Sequence, residues 1–390
     1  MRKVVTVFAL VLATGVAAGR VRPDATHATT HATTHAATQA ATKPDKLAEL
    51  RARAEKGDAV AQLNLGLLYA IGQGVAKDYE QAALWYFEAA VQGMATAQLN
   101  LGWCYAVGQG VAQDFVQAAS WYRKAAGQGE PTAQLKLGAL YASGDGVPQD
   151  QAEAVAWYRK AAEQGEATAQ FKLGMALANG RGVPRDAAEA VSWLRKSAEQ
   201  EVPAAQFMLG VMYERGLGVA QFYAEAAAWY LKAAERGDAA AQLNLGAMFE
   251  QGLGLKKDLV QAAAWYRKAA DQGDARAQSN LGFAYASGQG VTRDLAQAAA
   301  WYRKAAEQGH ATAQFDLGAM YANGQGVSID YVEAHKWVNL AASRAATADD
   351  RAQFARTRDD LAKRITPADL DEARKRARDW ADAFERASKK

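Results

Sequence analysis

Few residues of this 390-residue chain could carry chemistry, and they are scattered. There is one cysteine, Cys104, and there are five histidines. Three of these, His27, His31 and His35, recur every four residues in an Ala/Thr-rich tract. A helix there would place the three imidazoles on one face, where they could bind a soft divalent metal. Threonine is a poor helix former, so a flexible spacer is the favoured interpretation and metal binding the alternative.

The motifs of common enzyme classes are missing from the sequence. It has no H-E-x-x-H, G-x-S-x-G or Walker motif, and a single cysteine cannot form an internal disulfide. We interpret Cys104 as a small core thiol. We therefore predict that the protein is not an enzyme and uses no cofactor. A net charge of +3, from 45 basic and 42 acidic residues, predicts no nucleic-acid partner.

The first residues resemble an export signal. Residues 1–19 contain the basic pair Arg2 and Lys3, an apolar run, and small residues suited to cleavage. The apolar run is shorter than the ~20 residues that span a bilayer. We expect a periplasmic or secreted protein, with an uncleaved membrane tether as the alternative. Residues 20–44 lack large apolar side chains and predict a disordered linker.

The elements that must position any site come from one 36-residue repeat. In its first copy Ala61, Leu65 and Tyr69 form an apolar stripe at helical spacing, which predicts a first helix, helix A. Gly66 recurs in every copy, and a glycine inside a helix costs about 1 kcal/mol relative to alanine. We therefore expect close packing against it. The repeat begins without insertion at positions 61, 97, 133, 169, 205, 241, 277 and 313.

A turn and a second helix, helix B, complete each repeat. Gly72-x-Gly74 is present in every copy and predicts a tight turn with positive φ. Asp78 followed by Gln81 predicts a capping box, in which each residue's side chain bonds the other's backbone N–H, at the start of helix B. Trp85 and a set of alanines then predict a buried face of helix B.

A helix pair cannot bury both of its faces alone, so neighbouring repeats must stack. The sequence predicts an all-α fold, a right-handed α-solenoid of eight 36-residue helix-turn-helix repeats over residues 61–348. Capping helices are expected in residues 45–60 and 349–390. The last of these helices has an apolar side, formed by Leu370, Ala373, Ala377, Trp380 and Phe384.

The pattern A-x-x-x-L-G-x-x-Y-x-x-G-x-G-V…W-Y-x-K-A-A-x-x-G resembles the Sel-one-like repeat family, relatives of the tetratricopeptide repeats. The resemblance covers about three quarters of the chain. It implies an adaptor or scaffold that binds other proteins, often in envelope signalling or assembly. One branch of the family joins each helix pair by a disulfide and has been linked to penicillin binding. This chain departs from that branch because its only cysteine is Cys104.

Positions that vary between the copies are candidates for binding. On helix A they share the face opposite Leu65, which solenoids present on their concave side. Asparagines can bond a peptide backbone, lysines can hold carboxylates and large apolar side chains can anchor a partner. We predict a groove that binds a protein segment, and the alternative is a merely solvated face. The candidates are Asn64, Asn100, Trp103, Lys136, Lys172, Met175, Asn244, Asn280, Phe283 and Asp316.

A second function remains open, a carbohydrate- or peptidoglycan-binding envelope protein that uses exposed Trp and Tyr. Arg-Lys pairs on helix B, such as Arg159-Lys160, could form a basic ridge. Acidic residues follow the arginines by four positions, as Glu163 does, so we expect the charges to pair on a solvated convex face. His310 and His335 are also expected to be solvated.

The fifth repeat breaks the pattern twice. Glu201 replaces a helix-ending glycine and Phe222 replaces a capping aspartate. Loss of a cap costs about 1 kcal/mol, so we expect this stretch to be the least stable part of the array. It predicts a hinge between the fourth and fifth repeats.

Overall fold

The computed structural model describes residues 44–388. The predicted signal, most of the predicted linker and the histidines His27, His31 and His35 lie outside the described residues. Residues 44–388 form nineteen α-helices and no strand, which confirms the all-α prediction. None of these helices combines the length and the apolar character that a bilayer span needs.

The helices group into two compact units, divided between Gln200 and Glu201. The described part of the first unit contains α1 (Pro44–Glu55), α2 (Ala59–Ile71), α3 (Tyr79–Val91), α4 (Ala95–Val107), α5 (Phe115–Gly127), α6 (Pro131–Ser143), α7 (Gln151–Glu163), α8 (Ala167–Asn179) and α9 (Ala187–Glu199). Each helix packs on its neighbours in sequence, so this unit is an α-solenoid of stacked helix pairs.

The second compact unit contains α10 (Pro203–Arg215), α11 (Tyr223–Glu235), α12 (Ala239–Gln251), α13 (Leu259–Asp271), α14 (Ala275–Ser287), α15 (Leu295–Glu307), α16 (Ala311–Asn323), α17 (Tyr331–Arg344), α18 (Ala348–Ala362) and α19 (Pro367–Ser388). Helices α10 to α17 are again stacked pairs, and both α18 and α19 pack on α17. In both units the even-numbered helices from α2 to α16 are the A helices.

The glycine inside each A helix marks a close contact, as predicted. A Cβ atom on Gly66 would lie 2.8 Å from the ring of Tyr86, which belongs to helix B of the same repeat. Leu65 beside it is fully buried. In the fourth and eighth repeats Leu194 and Val338 take the place of the tyrosine. The glycine therefore lets the two helices of one repeat approach closely.

The two glycines of the turn have different roles. Gly72 ends α2 in the left-handed conformation, with φ of 74°, as the sequence predicts. The second glycine joins successive repeats. Gly110 also has positive φ, and a Cβ atom there would overlap the backbone carbonyl of Tyr79 in the preceding repeat. Backbone thus packs directly on backbone between repeats.

The aspartate cap of helix B is formed, but the predicted capping box is only half made. Asp78 accepts hydrogen bonds from the backbone N–H groups of Glu80 and Gln81, at 2.9 and 3.0 Å. Its own N–H donates to the carbonyl of Tyr69 at 2.9 Å. The turn brings this helix A carbonyl against the start of helix B, so the Gln81 side chain is not needed there.

The N-terminal capping helix behaves as a helix B without a partner. α1 packs on α2, and Arg51 donates to the Tyr69 hydroxyl at 2.8 Å. Arg123 and Tyr141 make the same contact at 3.0 Å inside the array. The capping role predicted for residues 45–60 therefore belongs to α1.

At the other end, the predicted apolar side of the last helix packs on the array. Ala373 and Ala377 of α19 are buried. The Trp380 ring meets Trp337 of α17 edge-on, with centroids 6.0 Å apart, and it stacks on Phe384 at 4.9 Å. The rings cover the last repeat as a cap must.

The prediction that His335 is solvated was wrong. The side chain is 2% exposed, because α18 and α19 both cover α17. Burial, together with the positive charges of Arg374 and Arg358, lowers its pKa to about 4. His310 is half-buried instead of solvated, and its Nδ1 accepts the Ala313 N–H at 3.3 Å as the N-cap of α16.

Candidate protein-interaction surface

One side of each A helix stays partly exposed. On α2 this side holds Val60, Asn64, Leu67 and Ile71, spaced so that they share one helix face. Val60 is 52% and Ile71 48% exposed, and the two residues between them are half-buried. Leu65 on the opposite side is fully buried. We call these four positions, and their equivalents in the other A helices, the A-helix face.

In the first compact unit the candidates lie on the A-helix face of α2, α4, α6 and α8. All are half-buried, neither sealed in the core nor fully in solvent. Trp103 packs partly against the core between the first two repeats. The Lys172 Nζ atom lies 6.0 Å from the centroid of the Tyr158 ring. The candidates here are Asn64, Asn100, Trp103, Lys136, Lys172 and Met175.

The candidates of the second compact unit lie on α12, α14 and α16. Phe283 is 45% exposed, whereas Asn244, Asn280 and Asp316 are half-buried. The side chain of Asn244 lies close to the hydroxyl of Tyr230 and lowers its pKa, and Asn280 does the same to Tyr266. These two asparagines therefore also interact with buried residues of the fold, a role that the sequence alone did not separate from binding.

Sequence reasoning missed two carboxylates beside these asparagines. The Tyr230 hydroxyl donates to Glu214 at 2.5 Å and the Tyr266 hydroxyl donates to Glu250 at 2.6 Å. Burial raises the pKa of both tyrosines, and the carboxylates raise it further, so the hydroxyls remain donors. The other six repeats have alanine at this position, which was the available signal.

A row of buried glutamines holds the A helices in register and was also missed. Gln98, 4% exposed, donates to the Ala90 carbonyl of the preceding repeat at 3.1 Å. It accepts a bond from Gln128, at the end of its own repeat, at 2.8 Å. The signal was a glutamine after the first alanine of all eight copies. The same double link is made by Gln62 with Gln92, Gln134 with Gln164, Gln170 with Gln200, Gln242 with Gln272, and Gln278 with Gln308.

The basic residues of helix B are arranged differently from the prediction. Arg159 pairs with Glu189 of the next repeat at 2.6 Å, not with Glu163 four residues later. Arg123 reaches the tyrosine of the next A helix, as described above. Arg123 and Arg159 therefore bridge adjacent repeats, because the neighbouring helix offers a partner across the repeat boundary.

The lysines that follow these arginines cover tryptophan rings. Lys124 Nζ lies 3.8 Å from the centroid of the Trp121 ring. Equivalent pairs of 3.7 to 4.0 Å occur at Trp157, Trp193, Trp229, Trp265 and Trp301. Since each ring already faces its lysine, it does not offer that face to a ligand.

The described residues contain no arrangement suited to holding a metal. Within residues 44–388 no group of three or more His, Cys, Asp or Glu side chains is so placed. Cys104 is buried, and burial raises its pKa to about 12, so the thiol stays protonated and unreactive at neutral pH. This agrees with its interpretation as a core thiol.

Two solved structures resemble this repeat array closely in sequence. A Sel1 repeat protein from Oxalobacter formigenes is 38% identical, with 80% of this chain and 90% of that chain covered and a TM-score of 0.61. The protein c5321, a protective antigen of uropathogenic Escherichia coli strains with an SLR fold, is 34% identical. Here 88% of this chain and 89% of that chain are covered, with a TM-score of 0.53. A search of curated proteins found no match.

A family model agrees with the repeat seen in sequence and structure. The model of the Sel1 repeat matches eight consecutive segments, and each contains one A helix and one B helix. The segments are 59–94, 95–130, 131–166, 167–202, 203–238, 239–274, 275–310 and 311–345. Together with the helix pairs and the two similar structures, they confirm the resemblance: the chain belongs to the Sel1 repeat family.

Proposed function

We propose that the protein is a non-enzymatic scaffold of the cell envelope that binds a segment of a partner protein on its A-helix face. Sel1 repeat proteins are in general protein-interaction scaffolds. One observation in this chain carries the proposal. The apolar helix positions that repeat, such as Ala61 and Leu65, are buried, whereas the A-helix face varies from copy to copy and stays partly exposed.

The surroundings of this face suit a rigid docking surface. The glutamine links and the glycine contacts hold successive A helices at fixed spacing. A partner segment would then meet side chains that are already positioned, which lowers the entropic cost of binding. Asn100 and Lys136 offer hydrogen bonds and a positive charge to such a segment.

The carbohydrate-binding alternative has less support. Sugar binding by stacking needs open aromatic faces, but six of the eight tryptophans of helix B lie under lysines at 3.7 to 4.0 Å. The tyrosines that pack on the helix A glycines, such as Tyr86, are buried. Retention of the protein on purified cell-wall glycan, with no protein partner present, would reverse this ranking.

The proposed function is tested by site-specific photo-crosslinking in the native envelope. A photoreactive residue replaces Asn100 on the A-helix face, and a matched control replaces the exposed Ala156 on α7. We expect one partner protein to crosslink at position 100 and not at position 156. Equal crosslinking at both positions, or none at position 100, would reject the proposal.

The envelope location has its own test. It rests on the basic, apolar and small residues of positions 1–19. We expect the mature protein from the envelope fraction to begin near residue 20. An intact N-terminus in the membrane fraction would favour the tethered form, and an intact N-terminus in the cytoplasm would exclude export.

A further inference from the structure

We infer that the A-helix face of the first compact unit selects a partner segment with large apolar residues at one end and acidic residues at the other. The inference rests on the proposed function and names the chemistry of the segment. It comes from comparing this face between repeats of the same chain. Where one repeat departs from the others at an exposed position, the fold does not explain the difference.

The first repeat has an apolar A-helix face that the fold does not require. Val60 and Ile71 are about half exposed, and half-buried Leu67 lies between them. At the Val60 position later copies have Thr96, Thr132, Thr168, Ala204, Ala240, Arg276 and Thr312, and at the Ile71 position they have Val107, Ser143, Asn179, Arg215, Gln251, Ser287 and Asn323. Mostly polar or small residues therefore occupy these positions in copies with the same fold, and covering half-exposed Val60 and Ile71 with a partner would stabilise the complex.

The second repeat continues this apolar surface. Trp103 and Val107 of α4 occupy the positions of Leu67 and Ile71, and both are half-buried. Aromatic and large aliphatic side chains at partly covered positions are typical anchors of an interface. Repeats one and two thus offer a place for apolar side chains of the partner.

The third and fourth repeats change the character of the face from apolar to basic. Lys136 and Lys172 occupy the position that is asparagine in the first two repeats. The sixteen residues on this face of α2, α4, α6 and α8 include these two cations and no anion. Half-buried Glu166, outside these sixteen positions, lies near Lys136, and its carboxylate also caps α8 by accepting the Ala169 N–H.

Charge complementarity then identifies the other end of the segment. Two lysines in successive repeats favour carboxylates, and an apolar surface beside them orients the segment along the array. The second compact unit does not repeat this arrangement. Its A-helix face mixes Arg215 and Arg276 with Asp316, and Glu214 and Glu250 lie beside it. The preference therefore belongs to the first unit.

The test is selection from a random peptide library on the full mature chain. We expect the selected peptides to combine large apolar residues with Asp or Glu, and to bind at least tenfold more weakly when those acids are replaced by lysine. Binding should weaken further in about 0.5 M salt, since screening acts on partly exposed charges. Selected peptides without acidic residues, or no selected peptides, would overturn the inference.

Variants assign the two halves of the surface. The double variant Lys136→Glu/Lys172→Glu should bind the acidic peptides at least tenfold more weakly than the wild type does. The double variant Val60→Thr/Ile71→Ser, which takes its residue types from other repeats, should bind them about fivefold more weakly. The matched control Lys46→Glu/Lys56→Glu changes two exposed lysines in and just after α1 and should bind as the wild type does. An unchanged affinity in the first double variant would overturn the inference.

The same experiments separate this inference from the proposed function. Crosslinking at position 100 tests whether the face binds a protein at all and does not depend on peptide chemistry. If that crosslink forms but the library shows no acidic preference, the scaffold function stands and the inference falls. Binding of anionic lipid vesicles in place of peptides, abolished by Lys136→Glu/Lys172→Glu, would also overturn it.

Discussion

The effect of a helical glycine on the stability of this protein depends on which atoms surround it. Gly102 lies in the middle of α4, and a Cβ atom there would be 2.7 Å from the Tyr122 ring. Gly127 is the last residue of α5, and a Cβ atom there would meet nothing within 4 Å. Both residues are helical, so they separate the effect of packing from the effect of helix propensity.

We expect Gly102→Ala to destabilise the protein by about 1–3 kcal/mol, because the added methyl group overlaps a buried ring. Gly127→Ala should leave stability unchanged or raise it by up to about 1 kcal/mol, because alanine is the better helix former. Urea unfolding followed by circular dichroism measures both. Equal midpoints for the two variants would contradict the assignment of the glycine to a packing contact.

The buried glutamines allow a second prediction for single residues. Gln98 uses both ends of its amide, whereas Oε1 of Gln314 has no hydrogen-bond partner. Gln314 still donates to the Ala306 carbonyl at 3.0 Å. Gln98→Leu should therefore cost about 1 kcal/mol more than Gln314→Leu, since it also removes the hydrogen bond that Gln128 donates to Gln98. The difference in urea midpoints measures this, and a smaller loss for Gln98→Leu would show that the link contributes little.

At the scale of helices, the sequence predicted the features that involve residues close together in the chain. The Leu65 stripe, the Gly72 cap and the Asp78 cap are local patterns, and all three are found. The glutamine link joins residues 30 positions apart, and Arg123 meets a tyrosine 18 positions later. Such pairs depend on how the helices stack. A residue type that recurs in every copy therefore indicates that the residue matters, but it does not identify the residue's partner.

The candidate surface was predictable to the same extent. The variable positions lie together on the partly exposed side of helix A, because side-chain direction follows from the helix period, and their role in binding stays a prediction. The sequence could not show that Asn244 and Asn280 lie close to buried tyrosines, nor that Glu214 and Glu250 lie beside them. Those contacts connect neighbouring helices and require the packed structure.

The C-terminal helices should make stability depend on pH. His335 has a pKa of about 4 in the folded protein and 6.5 in an unfolded chain. Between these two pKa values the folded state binds fewer protons than the unfolded state. The contribution of His335 to the free energy of unfolding is therefore complete above pH 6.5 and is lost as pH falls from 6.5 to 4. The loss amounts to about 3 kcal/mol. Arg374, Arg358 and Asp359 are the charged groups whose fields act on the ring.

Thermal unfolding of the wild type and of His335→Leu across this pH range measures the effect. The variant should lose less stability between pH 6.5 and pH 4, because leucine fills the site without a proton to bind. The Nδ1 atom of His335 has no hydrogen-bond partner, so the substitution removes no bond at that atom. Parallel pH profiles for the two proteins would contradict the prediction.

For the whole molecule, the regular pattern is weakest from the end of the fourth repeat into the fifth. Glu201 is the non-glycine residue with positive φ, 66°, among residues 44–388, and the two compact units divide immediately before it. Its ion pair with Arg236, at 2.5 Å, involves a side chain that is 70% exposed and adds little stability. Phe222 is the N-cap of α11 and its side chain makes no hydrogen bond to the helix. The predicted hinge itself stays a prediction.

Hydrogen exchange tests this weakness directly. We expect the amides of residues 216–226 to exchange faster than those of the equivalent residues 288–298 in the seventh repeat. Phe222→Asp should slow that exchange and add about 1 kcal/mol, because Phe222 already has the backbone conformation of the capping aspartates. Phe222→Ala, which supplies no acceptor, is the control. Equal exchange in the two repeats would contradict the prediction.

The glutamine links also bear on how such a chain can grow or shrink over generations. Each glutamine link uses two side chains of one 36-residue copy and one backbone carbonyl of the helix B before it. Gene duplication or loss of a whole copy therefore restores the glutamine link at the new junction, whereas a partial copy would leave buried amides unsatisfied. Length can consequently change only in whole modules, and each added module brings its own variable face for selection to act on.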